Sequence, residues 1–294
     1  MEFDEKTLKQ PIGGGIAFAF MIIVYLFVNF LGQIILGVFF SVDSVPFKAC
    51  CSLFSVIAIL IVTAFYKKKT NTKTLEIINL RKFKWQYVII SILLAFSMLF
   101  GLGFINISFV NLLQSVGLNV GGVDIPLNNP LQLVVFTIAL AVSPAIFEEV
   151  FFRGVLLKCL DGVKPIFAVI AVSLCFSMYH CSLAQLVYQL IYGVLLTMLA
   201  ISAKSIIPCI LTHFLNNFII ILLQYFNVEI DLLNPVYIIL GVIIVAVNFA
   251  FMFFAIKSKE DRKNVSGEKV STFYLFASIG LVVCVSLAIS SLFI

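Results

Sequence analysis

Five ionisable side chains stand inside apolar stretches of this 294-residue sequence and are the first candidates for chemistry. Glu148, Glu149 and Arg153 occur together as EEVFFR, His180 ends FSMYH, and His213 opens HFLNN. A charged group near the middle of a bilayer costs roughly 2.5–3.5 kcal/mol, so such residues indicate function by default. Carboxylates and imidazoles together are typical of acid–base hydrolysis, proton relays or zinc binding.

Helical spacing separates the two glutamates, because positions four apart share a face while neighbours do not. Glu149 and Arg153 are four apart, so we expect an ion pair that supports the site structurally. Glu148 then points elsewhere and is free for chemistry. A purely structural pair is the alternative explanation for Glu149 and Arg153.

A second pair with this spacing lies around the other histidine. His213 and Asn217 project an imidazole and an amide together, with Asn216 as a possible substitute for Asn217. Pro144 lies one turn before Glu148 and lacks the N–H that a helix needs, so it predicts a kink with room for water. Single histidines and asparagines also serve as packing contacts between membrane helices.

Composition identifies the elements that carry these residues as membrane-spanning helices. Apolar residues make up 62% and charged residues 11%, against roughly 45–50% and 25% in soluble domains. The net charge of +5 forms no basic face, which disfavours a nucleic-acid partner. We predict an all-α polytopic bundle of about nine spans, each able to cross roughly 30 Å of hydrocarbon: 12–40, 47–66, 87–114, 131–158, 165–182, 184–202, 206–226, 235–256 and 272–294.

The charges between the spans indicate the orientation. With a cytoplasmic N-terminus, every lysine and arginine except Lys48 falls on the inner side. The positive-inside rule therefore predicts a multi-pass protein of the cytoplasmic membrane whose C-terminus lies outside. Segment 74–86 is either an interfacial stretch on the inner leaflet or a solvated loop. The opposite loops carry acids instead: Asp43, Asp124, Glu229 and Asp231.

The ordered set EExxxR, FxxxH and HxxxN, each on its own predicted helix, resembles the CAAX protease and bacteriocin-processing family (CPBP, also called Abi) of intramembrane proteases. The second motif runs from Phe176 to His180, although a core role is the simpler explanation for a single phenylalanine. The resemblance covers about a third of the chain. It divides the sequence into spans 1–3 with the basic loop 67–86, a catalytic core of spans four to seven, and spans 8–9, which correspond to residues 1–130, 131–226 and 227–294.

The resemblance implies hydrolysis of a peptide bond in a membrane-associated peptide or protein within the lipid bilayer. Glu148 would be the general base, and His180 would orient and activate the attacking water. His213 and Asn217 would stabilise the oxyanion of the tetrahedral intermediate. We expect the site to open toward the cytoplasm or laterally to lipid.

Three alternatives stay open. A zinc enzyme would use Glu148, His180 and His213 as metal ligands; we favour a glutamate-activated water without a required cofactor, since the sequence has no HExxH motif. A transporter would use the same buried groups as a proton relay or ion site. A non-catalytic regulator of the bacteriocin-immunity type, built on the protease scaffold, is the third alternative.

Overall fold

The protein is a bundle of apolar helices. The computed structural model describes residues 5–78, 81–118, 120, 125–257 and 268–290, and these contain helices and connections but no strand, which confirms the all-α prediction. In chain order we label the long and apolar helices α1 (Pro11–Phe39), α2 (Val45–Thr70), α3 (Gln86–Ser115), α4 (Pro130–Cys159), α5 (Pro165–Tyr179), α6 (Leu186–Ala203), α7 (Ile207–Tyr225), α8 (Pro235–Lys257) and α9 (Glu268–Ser290).

Helix α5 differs from the others in length. Eight described helices are long and apolar enough to cross a membrane, whereas α5 has 15 residues, about 22 Å at 1.5 Å per residue. The prediction of about nine spans therefore becomes eight long spans and one short helix. Helix α5 begins beside Lys164 and ends at His180, where Cys181 adopts the left-handed conformation (φ 48°) that reverses the chain.

Helix α4 is irregular around its two glutamates. Its middle turns, Ser143–Glu149, are α-helical, but the segments on both sides, Ile138–Val142 and Val150–Leu156, are π-helical. A π-helical turn contains about one residue more than an α-helical turn, so it changes the direction in which the following side chains point. Such bulges are frequent at functional sites.

Close helix crossings occur at glycines. A Cβ on Gly15 would lie 2.4 Å from the carbonyl oxygen of Phe273, and one on Gly101 would lie 2.2 Å from the Cα of Gly241. These contacts join α1 to α9 and α3 to α8, as small residues do in membrane bundles. Helix α1 runs unbroken through Gly15.

The basic loop between α2 and α3 packs partly against α4. The short helix Thr74–Ile78 places the carbonyl of Ile77 where a Cβ on Gly154 would come within 2.4 Å. Glu76 Oε2 lies 3.1 Å from Lys158 Nζ. This part of segment 74–86 is therefore neither fully solvated nor only interfacial. Asp124, assigned above to an outer loop, lies outside the described residues.

Candidate active site

Glu149 is the centre of a buried charged cluster. Arg153 Nη1 donates to Glu149 Oε1 at 2.9 Å, and His213 Nδ1 lies 2.9 Å from the same oxygen. The side chains of Glu149 and Arg153 are fully buried. The expected pair of Glu149 and Arg153 is present, and it also holds His213 of α7. One carboxylate oxygen of Glu149 is therefore held by two partners.

Arg153 ties three helices together. Its Nη2 donates to the carbonyl of Gly193 at 3.3 Å, and its guanidinium lies 4.4 Å from the ring centroid of Phe176. Gly193 also permits close packing of α6 on α5, since a Cβ there would lie 3.1 Å from the Cα of Ser173. The phenylalanine of the FxxxH motif thus stacks on the arginine of EExxxR.

Backbone and carboxylate partners orient both histidines. His180 Nδ1 lies 2.8 Å from the carbonyl oxygen of Phe176. A carbonyl only accepts, so Nδ1 carries the proton and Nε2 keeps its lone pair. His213 Nδ1 faces the carboxylate of Glu149, which gives the same assignment. In both rings Nε2 is the nitrogen left for chemistry.

Glu148 faces a cavity rather than the charged cluster. Its residue is 6% exposed, and its Oε2 has no hydrogen-bond partner within the described chain. The cavity, of about 490 Å³, is lined by Glu148, His180, His213 and Asn217. The structure thus brings all four residues predicted for catalysis to one space. Glu149 Oε2 also lacks a partner within the described chain, so the two glutamates differ in that only Glu148 lines the cavity.

Asn217 completes the junction between α7 and α4. Its Nδ2 donates to the carbonyl of Leu140 at 2.9 Å. Pro144, four residues after Leu140, has no N–H to donate to that carbonyl. Asn216 Nδ2 in turn donates to Asn217 Oδ1 at 3.3 Å. One N–H of Asn217 therefore fastens the helices, and its second N–H is left for a ligand.

Sequence reasoning missed the polar face of α6. Tyr188 and Tyr192 line the cavity, as do Gln185 and Gln189. Tyr188 donates its hydroxyl to Asn216 Oδ1 at 3.3 Å. The spacing of three and four in QLVYQLIY was the available signal, because it places these side chains on one face.

Two further helices, α2 and α3, also line the cavity. Ser52 and Ser55 of α2 line it, together with Gly103 and Asn106 of α3. The cavity is therefore lined by α2 and α3 as well as by spans four to seven, which the sequence predicted as the catalytic core. These small and polar residues carry no catalytic motif, which is why the sequence did not single them out.

The cavity extends to Ile125 and Leu232, in the connections that precede α4 and α8. These connections lie at the helix ends away from the lysine-rich loop. No membrane is present in the structure, so the sequence-based expectation of a cytoplasmic or lateral opening stays a prediction.

A second cavity, of about 580 Å³, lies at the lysine-rich end and is lined by Arg81, Arg153, Lys158 and Lys204 among others. Arg153 borders this cavity, while Glu148 borders the first. The layer of Glu149 and Arg153 therefore separates the two spaces.

The zinc alternative requires three ligands around one point. In the ranges that the structure describes, no three histidine, cysteine, aspartate or glutamate side chains are grouped so that they could hold a metal ion. Glu148, His180 and His213 share the cavity but do not form such a group.

Comparison with known proteins bears on this site. Residues 130–219 match the family model described as type II CAAX prenyl endopeptidase Rce1-like. Comparison with curated proteins and with solved structures gave no match. The matched range contains every predicted site residue, from Glu148 to Asn217, and confirms the resemblance carried by the three motifs.

Proposed function

We propose that the chain hydrolyses a peptide bond of a membrane-associated substrate with Glu148 as general base. The match of residues 130–219 to the CAAX prenyl endopeptidase family model supports this proposal. One observation carries the proposal. Glu148 lines a cavity with His180, His213 and Asn217, while the neighbouring Glu149 is held by Arg153. Of the two adjacent glutamates, only Glu148 is among the residues that line this cavity.

The first step activates water. Glu148 takes one proton from a water molecule, and the Nε2 lone pair of His180 accepts a hydrogen bond from the remaining O–H. The water oxygen then attacks the carbonyl carbon of the substrate. Glu148 later passes its proton to the leaving amine, so the protons balance. A base within hydrogen-bond reach contributes about 10²–10⁴-fold to such a step.

The second requirement is stabilisation of the oxyanion. Asn217 offers its second N–H from a fixed position, because its first N–H is bonded to Leu140. His213 donates to the oxyanion from Nε2 once that nitrogen has taken up a proton, while its Nδ1 stays on the carboxylate of Glu149. Donors of this kind stabilise charge best when they are fixed in advance.

Comparative peptidomics tests the base. Cells carrying wild type, Glu148→Gln or the exposed control Glu229→Gln are compared for peptides released into the medium and the membrane fraction. We expect a cleavage product with wild type and with the control, and none with Glu148→Gln. Cleavage by Glu148→Gln at the wild-type rate would reject the mechanism.

Asn217→Ala tests the oxyanion site. We expect kcat to fall by about 10²–10³ with a smaller change in KM, since the lost donor acts in the transition state. Asn29→Ala, on α1, is the matched control and should leave kcat unchanged. Metal analysis of the same purified samples separates the zinc alternative, which requires metal in stoichiometric amount and its loss in His180→Ala.

One observation favours transport as the second candidate. Two cavities approach the layer of Glu149 and Arg153 from opposite ends of the bundle. A wild-type protein that releases no peptide but moves a solute across proteoliposomes would support this candidate over hydrolysis. A wild type inert in both assays would support the non-catalytic regulator.

A further inference from the structure

The cavity occupies the same end of every helix that lines it. On α2, Ser52 and Ser55 line it near the start of the helix, while Lys67–Lys69 lie at the other end. On α4, the lining residues run from Ala139 to Glu148, and Lys158 follows near the end of the helix. Both helices therefore approach the lysine-rich end only after they have passed the cavity.

Helices α3 and α7 run in the opposite direction, so their cavity-lining residues follow the basic residues along the chain. Helix α3 begins after the basic residues Arg81–Lys84, and its lining residues lie in the second part, from Leu99 to Ile107. Helix α7 begins just after Lys204, and its lining residues run from His213 to Ile221. Four helices thus agree that the cavity lies away from the basic connections.

The far end of the cavity lies at connections between helices. Ile125 and Leu232 belong to such connections, and Gln185 is exposed at the tip of the α5–α6 hairpin. Helix α5 has 15 residues and spans only about 22 Å, which is less than the roughly 30 Å of a bilayer's hydrocarbon core.

The near end is closed. Phe151, Phe152, Val155 and Leu156 follow the glutamates on α4 and have no exposed surface. Arg153 is 2% exposed among them. A substrate could not pass this packed layer from the lysine-rich side without opening the helix bundle.

The charges at the two faces set the direction. Lys67–Lys69 are exposed at one face, whereas Asp43, Glu229 and Asp231 lie in the connections of the other. Lysine-rich short loops stay in the cytoplasm. We infer that the catalytic cavity is entered from the non-cytoplasmic face, so that the substrate is an exported or membrane-anchored peptide segment exposed there. That the entering peptide is a substrate rests on the proposed function, whereas the side of entry does not.

The polar groups near the entrance fit an extended peptide. Asn106, Gln185 and Gln189 offer amides, and Tyr188 and Tyr192 offer hydroxyls along one wall. Uncharged donors and acceptors of this kind pair with backbone N–H and C=O groups irrespective of side chain. The recognised feature is therefore a stretch of unpaired backbone that has emerged on the outer side.

Thiol labelling of the full-length protein in cell membranes tests the side of entry. Gln185→Cys reports the cavity, Asp43→Cys the outer face and Lys68→Cys the inner face. Each is treated with a membrane-impermeant maleimide in intact cells and in inverted vesicles, and the labelling of wild type is subtracted to remove the native thiols. Ile125→Cys, at the entrance, replaces Gln185→Cys if that variant is not recovered in the membrane.

We expect Gln185→Cys and Asp43→Cys to gain labelling in intact cells, and Lys68→Cys to gain it only in inverted vesicles. Labelling of Gln185→Cys only in inverted vesicles, or from neither side while both references react, overturns the inference. Labelling of Asp43→Cys from the inside overturns it too. Because labelling needs no turnover, loss of the Glu148-dependent product would refute the proposed function and leave the side of entry standing.

Discussion

Two ion pairs in this protein each join a basic side chain to a glutamate, but one pair is buried and the other is exposed to solvent. Arg153 and Glu149 lie 2.9 Å apart with both side chains fully buried. Lys158 and Glu76 lie 3.1 Å apart with side chains 34% and 55% exposed. We predict that Arg153→Met destabilises the protein strongly, while Lys158→Met has almost no effect.

The magnitude follows from what each substitution leaves behind. Removing Arg153 leaves the buried carboxylate of Glu149 with only His213 as a partner. Breaking a buried pair in this way costs about 3–5 kcal/mol, which is two to three and a half powers of ten in the unfolding equilibrium. Removing Lys158 leaves Glu76 in water, and an exposed pair contributes only about 0–1 kcal/mol.

The native cysteines supply the assay. Cys159, Cys175, Cys209 and Cys284 are free thiols with at most 1% exposure, so a fluorogenic thiol reagent reports unfolding in detergent. Wild type, both single variants and Arg153→Met combined with Glu149→Gln are heated in parallel. The double variant removes both charges, so we expect it to be more stable than the sum of its single changes predicts, by about 0.5–3 kcal/mol.

Two results would refute this reasoning. One is a loss of stability for Arg153→Met no larger than that for Lys158→Met. The other is strict additivity of Arg153→Met and Glu149→Gln, which would mean that the 2.9 Å contact carries no coupling energy. Either result would also count against the proposal that Glu149 stabilises the site while Glu148 acts as the general base.

Two further predictions concern the loop that packs on α4. Gly154→Ala places a Cβ against the Ile77 carbonyl and should cost about 1–3 kcal/mol by overpacking; Gly37→Ala, with nothing within 4 Å, should be neutral in the same melting assay. The hydrogen bond from Lys158 and its charge lower the pKa of Glu76, so the pair stabilises the folded protein at neutral pH and this contribution disappears as the pH falls below about 4. Glu76→Gln should remove that small acid-side dependence of the melting temperature, and a wild-type dependence that persists unchanged in Glu76→Gln would contradict the assignment.

The fold class could be predicted because hydropathy is a property of the local sequence. The nine apolar segments appear as helices with ends shifted by a few residues. The shortness of α5 was not predicted, because the apolar run continues past Tyr179 to Leu183 while the helix ends. The left-handed conformation of Cys181 terminates it, and no glycine or proline marks that position.

The candidate site could be predicted in part. Spacing of four predicted the pair of Glu149 and Arg153, and intramembrane position singled out both histidines. The contact of His213 with Glu149, 64 residues apart, depends on how α7 packs on α4 and has no local signal. The bond of Asn217 to Leu140 is also long-range. Only the missing N–H of Pro144 indicated where an unpaired carbonyl would need a partner.

The short α5 has a consequence for the lipids around it. Ile166, Phe167 and Ile170 on its first turns are exposed apolar side chains, so the helix contacts acyl chains directly. A wall of about 22 Å against roughly 30 Å of hydrocarbon produces hydrophobic mismatch, and the leaflet must thin or tilt beside α5. Bilayer thickness therefore becomes a physical variable for this protein: membranes of shorter lipids relieve the elastic strain at α5, and thicker ones increase it.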